Sequence, residues 1–125
     1  MAYANTLQVA TEARRLKNLM DQVAAKSTEL ITLTLVTNAT TEDFIQMPSA
    51  IGNKQYWLQL RNDSANVWIE GGFGSTVLEG VDLRVYLPQE ASATGFFVGG
   101  YGAAHIECNA IAGALHIQLG SSTRG

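Results

Sequence analysis

One segment limits what this chain can become. From Ala4 to Ile31 the apolar residues recur with helical rather than strand spacing, and no other long stretch does so. Val9, Ala13, Leu16, Met20, Val23, Ser27 and Leu30 follow one another at steps of four and three, which places them along one side of a helix. Leu7, Ala10, Leu19, Ala24 and Ile31 widen the stripe, and Gln8, Glu12, Arg15, Lys26 and Glu29 supply the polar surface. Ala, Leu, Lys, Gln, Arg and Met dominate the run, all good helix formers. At 1.5 Å per residue the spacing predicts a rod of roughly 40 Å. Ile31 to Thr37 is rich in β-branched residues and reads equally as a last helical turn or a first strand.

After Asn38 the pattern changes to short strands and glycine-rich turns. Phe44 to Met47 reads as a strand closed by Pro48, and Tyr56 to Arg61 as another with Tyr56, Leu58 and Leu60 on one face. Asn62 to Ala65 turns the chain into Asn66–Glu70. Pairing Leu60 with Val67 and Leu58 with Ile69 keeps apolar groups together and puts Trp57 and Trp68 on the outward face. Gly71 to Ser75 reads as a loop, Val81 to Leu87 alternates almost ideally, and Gln89 to Thr94 reads as polar loop. Ala104–Asn109 and Ala114–Leu119 form a last hairpin, with Ile106 facing Ile117 and Cys108 facing Leu115. The expected architecture is an all-β antiparallel sandwich of six or seven strands preceded by one long amphipathic helix. Its parts are residues 1–36 (helix, a stalk or oligomerisation element), 37–120 (sandwich) and 121–125 (tail).

A chain of 125 residues builds one domain with a real core. Charged residues make up only 15%, so Ser, Thr, Asn and Gln must supply much of the polar surface. The net charge of -3 and the absence of a basic run longer than Arg14-Arg15 argue against nucleic acid as a partner. Cys108 is the single cysteine, which excludes an intrachain disulfide. No 18-residue apolar segment is present, and Met1 to Asn5 lacks the pattern of a signal peptide.

The residues that bear on chemistry are few. In the expected hairpin register Glu107 opposes His116 with His105 diagonal, and this trio is a speculative transition-metal site. The plainer reading of that face is a solvated cross-strand His–Glu pair, so neither a catalytic residue nor a cofactor is expected. Cys108 points inward, away from both histidines, and reads as packing. The carboxylates Asp43, Asp63, Glu70, Glu79, Asp82 and Glu90 are scattered singly, and the two glycine-rich stretches lack the strand-to-helix context of a phosphate loop. Trp57, Trp68 and Tyr86 are candidates for a ligand or intermolecular face. Asn38-Ala39-Thr40 and Asn62-Asp63-Ser64 match the N-glycosylation acceptor, at Asn38 and Asn62.

A helix leading into Phe44-Ile45-Gln46-Met47-Pro48-Ser49-Ala50-Ile51-Gly52-Asn53-Lys54-Gln55-Tyr56 resembles the layout of archaeal class III pilin-like envelope proteins, accessory proteins of the archaellum among them. The resemblance implies a β-sandwich outside the cell, carried on a helix that continues a membrane-embedded or filament-core segment. That segment and its processing site are absent here, so by this analogy the chain is a soluble piece whose native membrane segment lay upstream. The expectation is therefore a non-enzymatic structural or adhesive protein of the cell surface. Its partners would be further copies of itself, filament or envelope proteins, or glycans. Val9, Ala13, Leu16, Met20, Val23 and Leu30 would form the assembly interface. The alternatives are a receptor- or carbohydrate-binding head on a helical stalk, and a small metal-dependent β enzyme.

Overall fold

A computed structural model describes residues 2–74, 83–88, 91–100 and 102–121, with side chains from residue 11 onward. Helix α1 spans Ala2–Thr37, 36 residues or about 54 Å. It continues through the β-branched stretch because Leu30, Ile31 and Thr34 are buried against the sheet, and tertiary packing outweighs helix propensity. The hydroxyls of Thr28, Thr32 and Thr37 donate to the carbonyls four residues back at 2.7–3.0 Å. The helix stops at Asn38, whose φ of 57° is the left-handed conformation that asparagine tolerates, and whose N–H donates to the Thr34 carbonyl at 2.7 Å.

Among the described residues seven strands follow: β1 (Thr41–Ile45), β2 (Tyr56–Asn62), β3 (Val67–Phe73), β4 (Arg84–Leu87), β5 (Ser92–Val98), β6 (Ala104–Ile111) and β7 (Ala114–Ser121). They join in one sheet of order β1-β6-β7-β5-β2-β3-β4, antiparallel throughout except for the parallel pair β5 and β7. The expected strands after one long helix are present, joined as a mixed sheet with α1 packed on it. Laid flat, seven strands at about 4.8 Å spacing would be roughly 30 Å across, three helix diameters. Yet α1 touches β1 and β6 near one edge and β3 and β4 near the other. The sheet must curve around it.

One core fills the trough. Leu16, Met20, Val23, Leu30 and Ile31 from the helix meet Leu58, Ile69, Phe97, Ile106, Cys108 and Ile117 from the sheet. Each such side chain stabilises the fold by about 1.5–3 kcal/mol on burial. This corrects the expectation for the helical stripe. Leu16, Met20, Val23 and Leu30 are buried within the chain's own sheet and present no surface for assembly. Ala13 is half-buried, and Val9 lies where only the backbone is described. Among the described side chains of α1, the large apolar ones left exposed are Leu33, Leu35 and Val36, at its C-terminal end.

Both hairpins pair two residues away from the expected register. Leu60 faces Ile69 and Leu58 faces Gly71; Ile106 faces Leu119 and Cys108 faces Ile117. The same side chains still point inward, because a slip of two preserves the face. The turns decide the shift. Asp63 Oδ1 accepts from the N–H groups of Ala65 and Asn66 at 2.8 and 2.7 Å, closing the β2–β3 turn. Ala112 and Gly113, with φ of 52° and 82°, form a two-residue turn between β6 and β7. Two loops expected from composition are strands: Gly71–Phe73 completes β3, and Ser92–Thr94 opens β5. Leu83, Val85 and Leu87 pack inward as expected, and Val81 lies outside the described residues.

Candidate metal centre

Edge strand β1 is held by polar contacts from the helix rather than by apolar alternation. Its inward residues are Thr41, Asp43 and Ile45. Thr41 Oγ1 donates to the Leu30 carbonyl at 3.1 Å and lies 2.8 Å from Thr34 Oγ1. Asp43 pairs with Lys26 at 3.0 Å. That hydrogen bond raises the lysine's pKa and lowers the carboxyl's, and the Phe44 N–H lowers the latter further. With these residues turned toward α1, Glu42 and Phe44 face away from it.

The β1–β6 register then sets Glu42 directly opposite Glu107 and Phe44 opposite His105. Glu42 Oε2 lies 3.0 Å from His105 Nε2, and the Phe44 ring stacks on the imidazole at 4.7 Å with 29° between the planes. One ligand atom each from Glu42, His105 and Glu107 fall within 4.8 Å of one another. Glutamates on directly paired positions repel, and among the described residues no lysine or arginine pairs with either one. An imidazole and two carboxylates are a donor set for zinc or another divalent first-row metal.

The expected trio is thus altered by one member. Glu42 takes the place given to His116, because β1 pairs with β6 and β7 is shifted by two. His116 instead faces Asn109 across β6–β7 and Ser92 across β5–β7. There it lines a shallow groove of about 280 Å³ with Ser92, Thr94, Glu107, Asn109 and Gln118. Glu107 borders both the cluster and the groove.

No protein-family profile, curated protein or solved structure matches the chain.

A second polar cluster sits on the same outward face over β2, β3 and β4. Glu70 is completely buried; its Oε1 accepts from Trp68 Nε1 at 2.9 Å and lies 3.5 Å from Arg84. Arg61 approaches the other oxygen at 3.7 Å, and the Arg84 guanidinium covers the Trp68 ring at 4.9 Å. This locks three strands together and leaves little to bind with. Trp57 and Trp68 do face outward, but they are 0% and 6% exposed. Trp57 is closed over at Gly72, where a side chain would come within 2.7 Å of the indole. Of the three aromatic candidates only Tyr86, 55% exposed, offers surface.

The remaining candidates have structural roles or open positions. Cys108 is buried on the helix side; desolvation pushes its thiol pKa up, with a smaller opposing effect from Thr34. Asn38 is exposed at the helix end. The Asn62 carboxamide accepts from the Ala93 N–H at 3.0 Å and so ties β2 to β5. A larger cavity of about 380 Å³, near Leu35, Val67, Ala91 and Leu115, contains one titratable side chain, Asp63, which is already committed to its turn.

Proposed function

We propose that this chain is a metal-binding sheet domain in which Glu42, His105 and Glu107 hold a divalent transition-metal ion on the outer face of β1 and β6. The observation that carries the reading is the direct pairing of two carboxylates beside an imidazole, with all three donor atoms within 4.8 Å. A cation between them replaces repulsion with attraction. Three protein ligands on an open face leave coordination positions for water or an incoming ligand, as ligand-exchanging zinc sites require. Phe44 restricts the imidazole's orientation from behind, a supporting contact of the kind that tunes metal sites. The metal-dependent alternative is favoured over helix-driven assembly because Leu16, Met20, Val23 and Leu30, four of the residues meant for assembly, are spent in the core.

Native mass spectrometry and calorimetric titration with Zn²⁺ test the reading. One ion per chain is expected, lost in His105→Ala and weakened in Glu42→Gln and Glu107→Gln, while His116→Ala still binds. At a free metal concentration about one hundred times Kd, the fold gains about 2.7 kcal/mol, seen as a higher Tm. Absence of stoichiometric binding, or loss in His116→Ala with retention in His105→Ala, overturns it.

A further inference from the structure

The outward side chains of β5, β7 and β6 form two polar rows. Ser92, His116 and Asn109 share one; Thr94, Gln118 and Glu107 share the next, which Glu42 extends into the metal cluster. Adjacent strands lie about 4.8 Å apart, so the groove's two walls stand roughly 10 Å apart across β7. Its volume of about 280 Å³ is just below the range that takes drug-sized ligands and suits one small ring. The lining decides the chemistry. Carboxamides, hydroxyls and an imidazole both donate and accept, and the one charged group, Glu107, is an acceptor that disfavours an anion. Asn109 lines the groove with its Oδ1 buried, so the amide Nδ2 is the group it can offer there, as a donor. Phe96, next outward residue along β5 from Thr94, is 54% exposed. Its ring face is electron-rich and attracts the polarised C–H groups of a sugar.

We infer that this groove binds a single hexopyranose ring, free or as the end residue of a glycan, together with the ion. The inference rests on the metal reading above, since Glu107 serves both. Asn109, His116 and Gln118 hydrogen-bond the ring hydroxyls, and Phe96 stacks on its apolar face. The bound metal neutralises Glu107 and Glu42 at the groove's edge and presents its open coordination positions there. Zinc and sugar therefore strengthen each other's binding by the same factor.

The experiment is a ¹⁵N-resolved NMR titration of the whole chain, with and without Zn²⁺, using mannose, glucose, galactose and N-acetylglucosamine up to ~100 mM. A small ring held by a few hydrogen bonds binds at about 1 mM or weaker. The expected result is zinc-strengthened shifts confined to Ser92–Thr94, Asn109 and His116–Gln118. Asn109→Ala and Phe96→Ala should each weaken sugar binding about tenfold while Zn²⁺ affinity measured without sugar stays unchanged. A glycan array on the zinc-loaded chain separates free sugar from a terminal residue. Normal zinc binding with no sugar shift, shifts elsewhere, or sugar binding indifferent to zinc overturns this inference and spares the metal centre. Failure to bind zinc at all removes the metal reading and this one with it.

Discussion

The packing of α1 on β3 can be tested at a single point of contact. A Cβ added at Gly71 would lie 2.7 Å from Met20 Sδ and 3.2 Å from Leu58 Cδ2. Nothing in the backbone forbids alanine there, since Gly71 is not among the positive-φ residues. Gly71→Ala should therefore cost about 1–3 kcal/mol from overpacking, less about 0.4–1 kcal/mol recovered by restricting the unfolded chain. Met20 is fully buried, so Met20→Ala alone should cost about 2–5 kcal/mol. In the double variant the thioether is gone and the new methyl occupies part of the space it leaves. Gly71→Ala then becomes neutral or stabilising by up to about 1 kcal/mol, at roughly 0.8 kcal/mol per buried carbon. The coupling between the two substitutions should be about 2 kcal/mol in favour of the pair. Urea denaturation followed by the fluorescence of Trp57 and Trp68, both buried, measures all four corners of the cycle. Additivity within about 0.5 kcal/mol would refute the contact. A Met20→Ala midpoint that varied with protein concentration would instead mean that the stripe faces another chain.

Two further outcomes follow from local geometry. Ala112 holds a φ of 52° ahead of Gly113, a cost that Asn-Gly turns largely avoid, so Ala112→Asn should stabilise the β6–β7 hairpin by about 1 kcal/mol in thermal denaturation. The pKa values of Asp43 and Asp63 are depressed, by Lys26 and by the N–H groups of Ala65 and Asn66. Their contributions are full above the unfolded carboxyl pKa of about 3.9 and vanish as pH falls through the lower folded values. The Tm deficits of Asp43→Asn and Asp63→Asn should therefore shrink from pH 5 to pH 2; deficits that grow with acid would contradict the sign.

How far the fold was legible depended on which property the pattern encodes. Alternation fixes the face of a strand, so it points Leu58, Leu60, Ile69, Ile106, Cys108 and Ile117 inward, where the structure has them. It does not distinguish registers that differ by two, and both hairpins took the neighbouring one. The two-residue turn at Ala112-Gly113 carried the missing signal, a glycine at the second position, but the residue before it is an alanine in a conformation alanine rarely adopts. β5 was obscured because Ser92 and Thr94 face out and Gly95 has no side chain, leaving only Ala93 and Phe97 as inward markers. For the site, His105 and Glu107 were visible as outward neighbours on one strand. Glu42 was not, because β1 turns Thr41 and Asp43 inward and so lacks the apolar alternation that marks a strand. Those polar residues are satisfied by Thr34, Leu30 and Lys26 of the helix, partners 7, 11 and 17 residues away that no local pattern displays.

The same contacts make the helix a determinant of the metal site. Thr41 is a part-buried residue that ties β1 to α1, through Leu30 and Thr34, and Glu42 follows it directly. Thr41→Val keeps the shape and removes the hydrogen bonds, leaving the carbonyl of Leu30 without that donor, a loss of about 1–2 kcal/mol. The loss falls on an edge strand paired only with β6, so it should appear as local opening rather than global unfolding. Amide hydrogen exchange in Thr41–Ile45 should quicken by about 5- to 30-fold, since 1.4 kcal/mol is a factor of ten, while exchange in β2 and β3 stays as it was. Saturating Zn²⁺ should then slow exchange in β1 again, because an ion bound by Glu42 and Glu107 links the strand to β6 a second time. Protection of β6 alone would place the metal without Glu42. Equal quickening across the whole sheet would mean that Thr41 supports the fold as a unit and not the strand that carries the ligand.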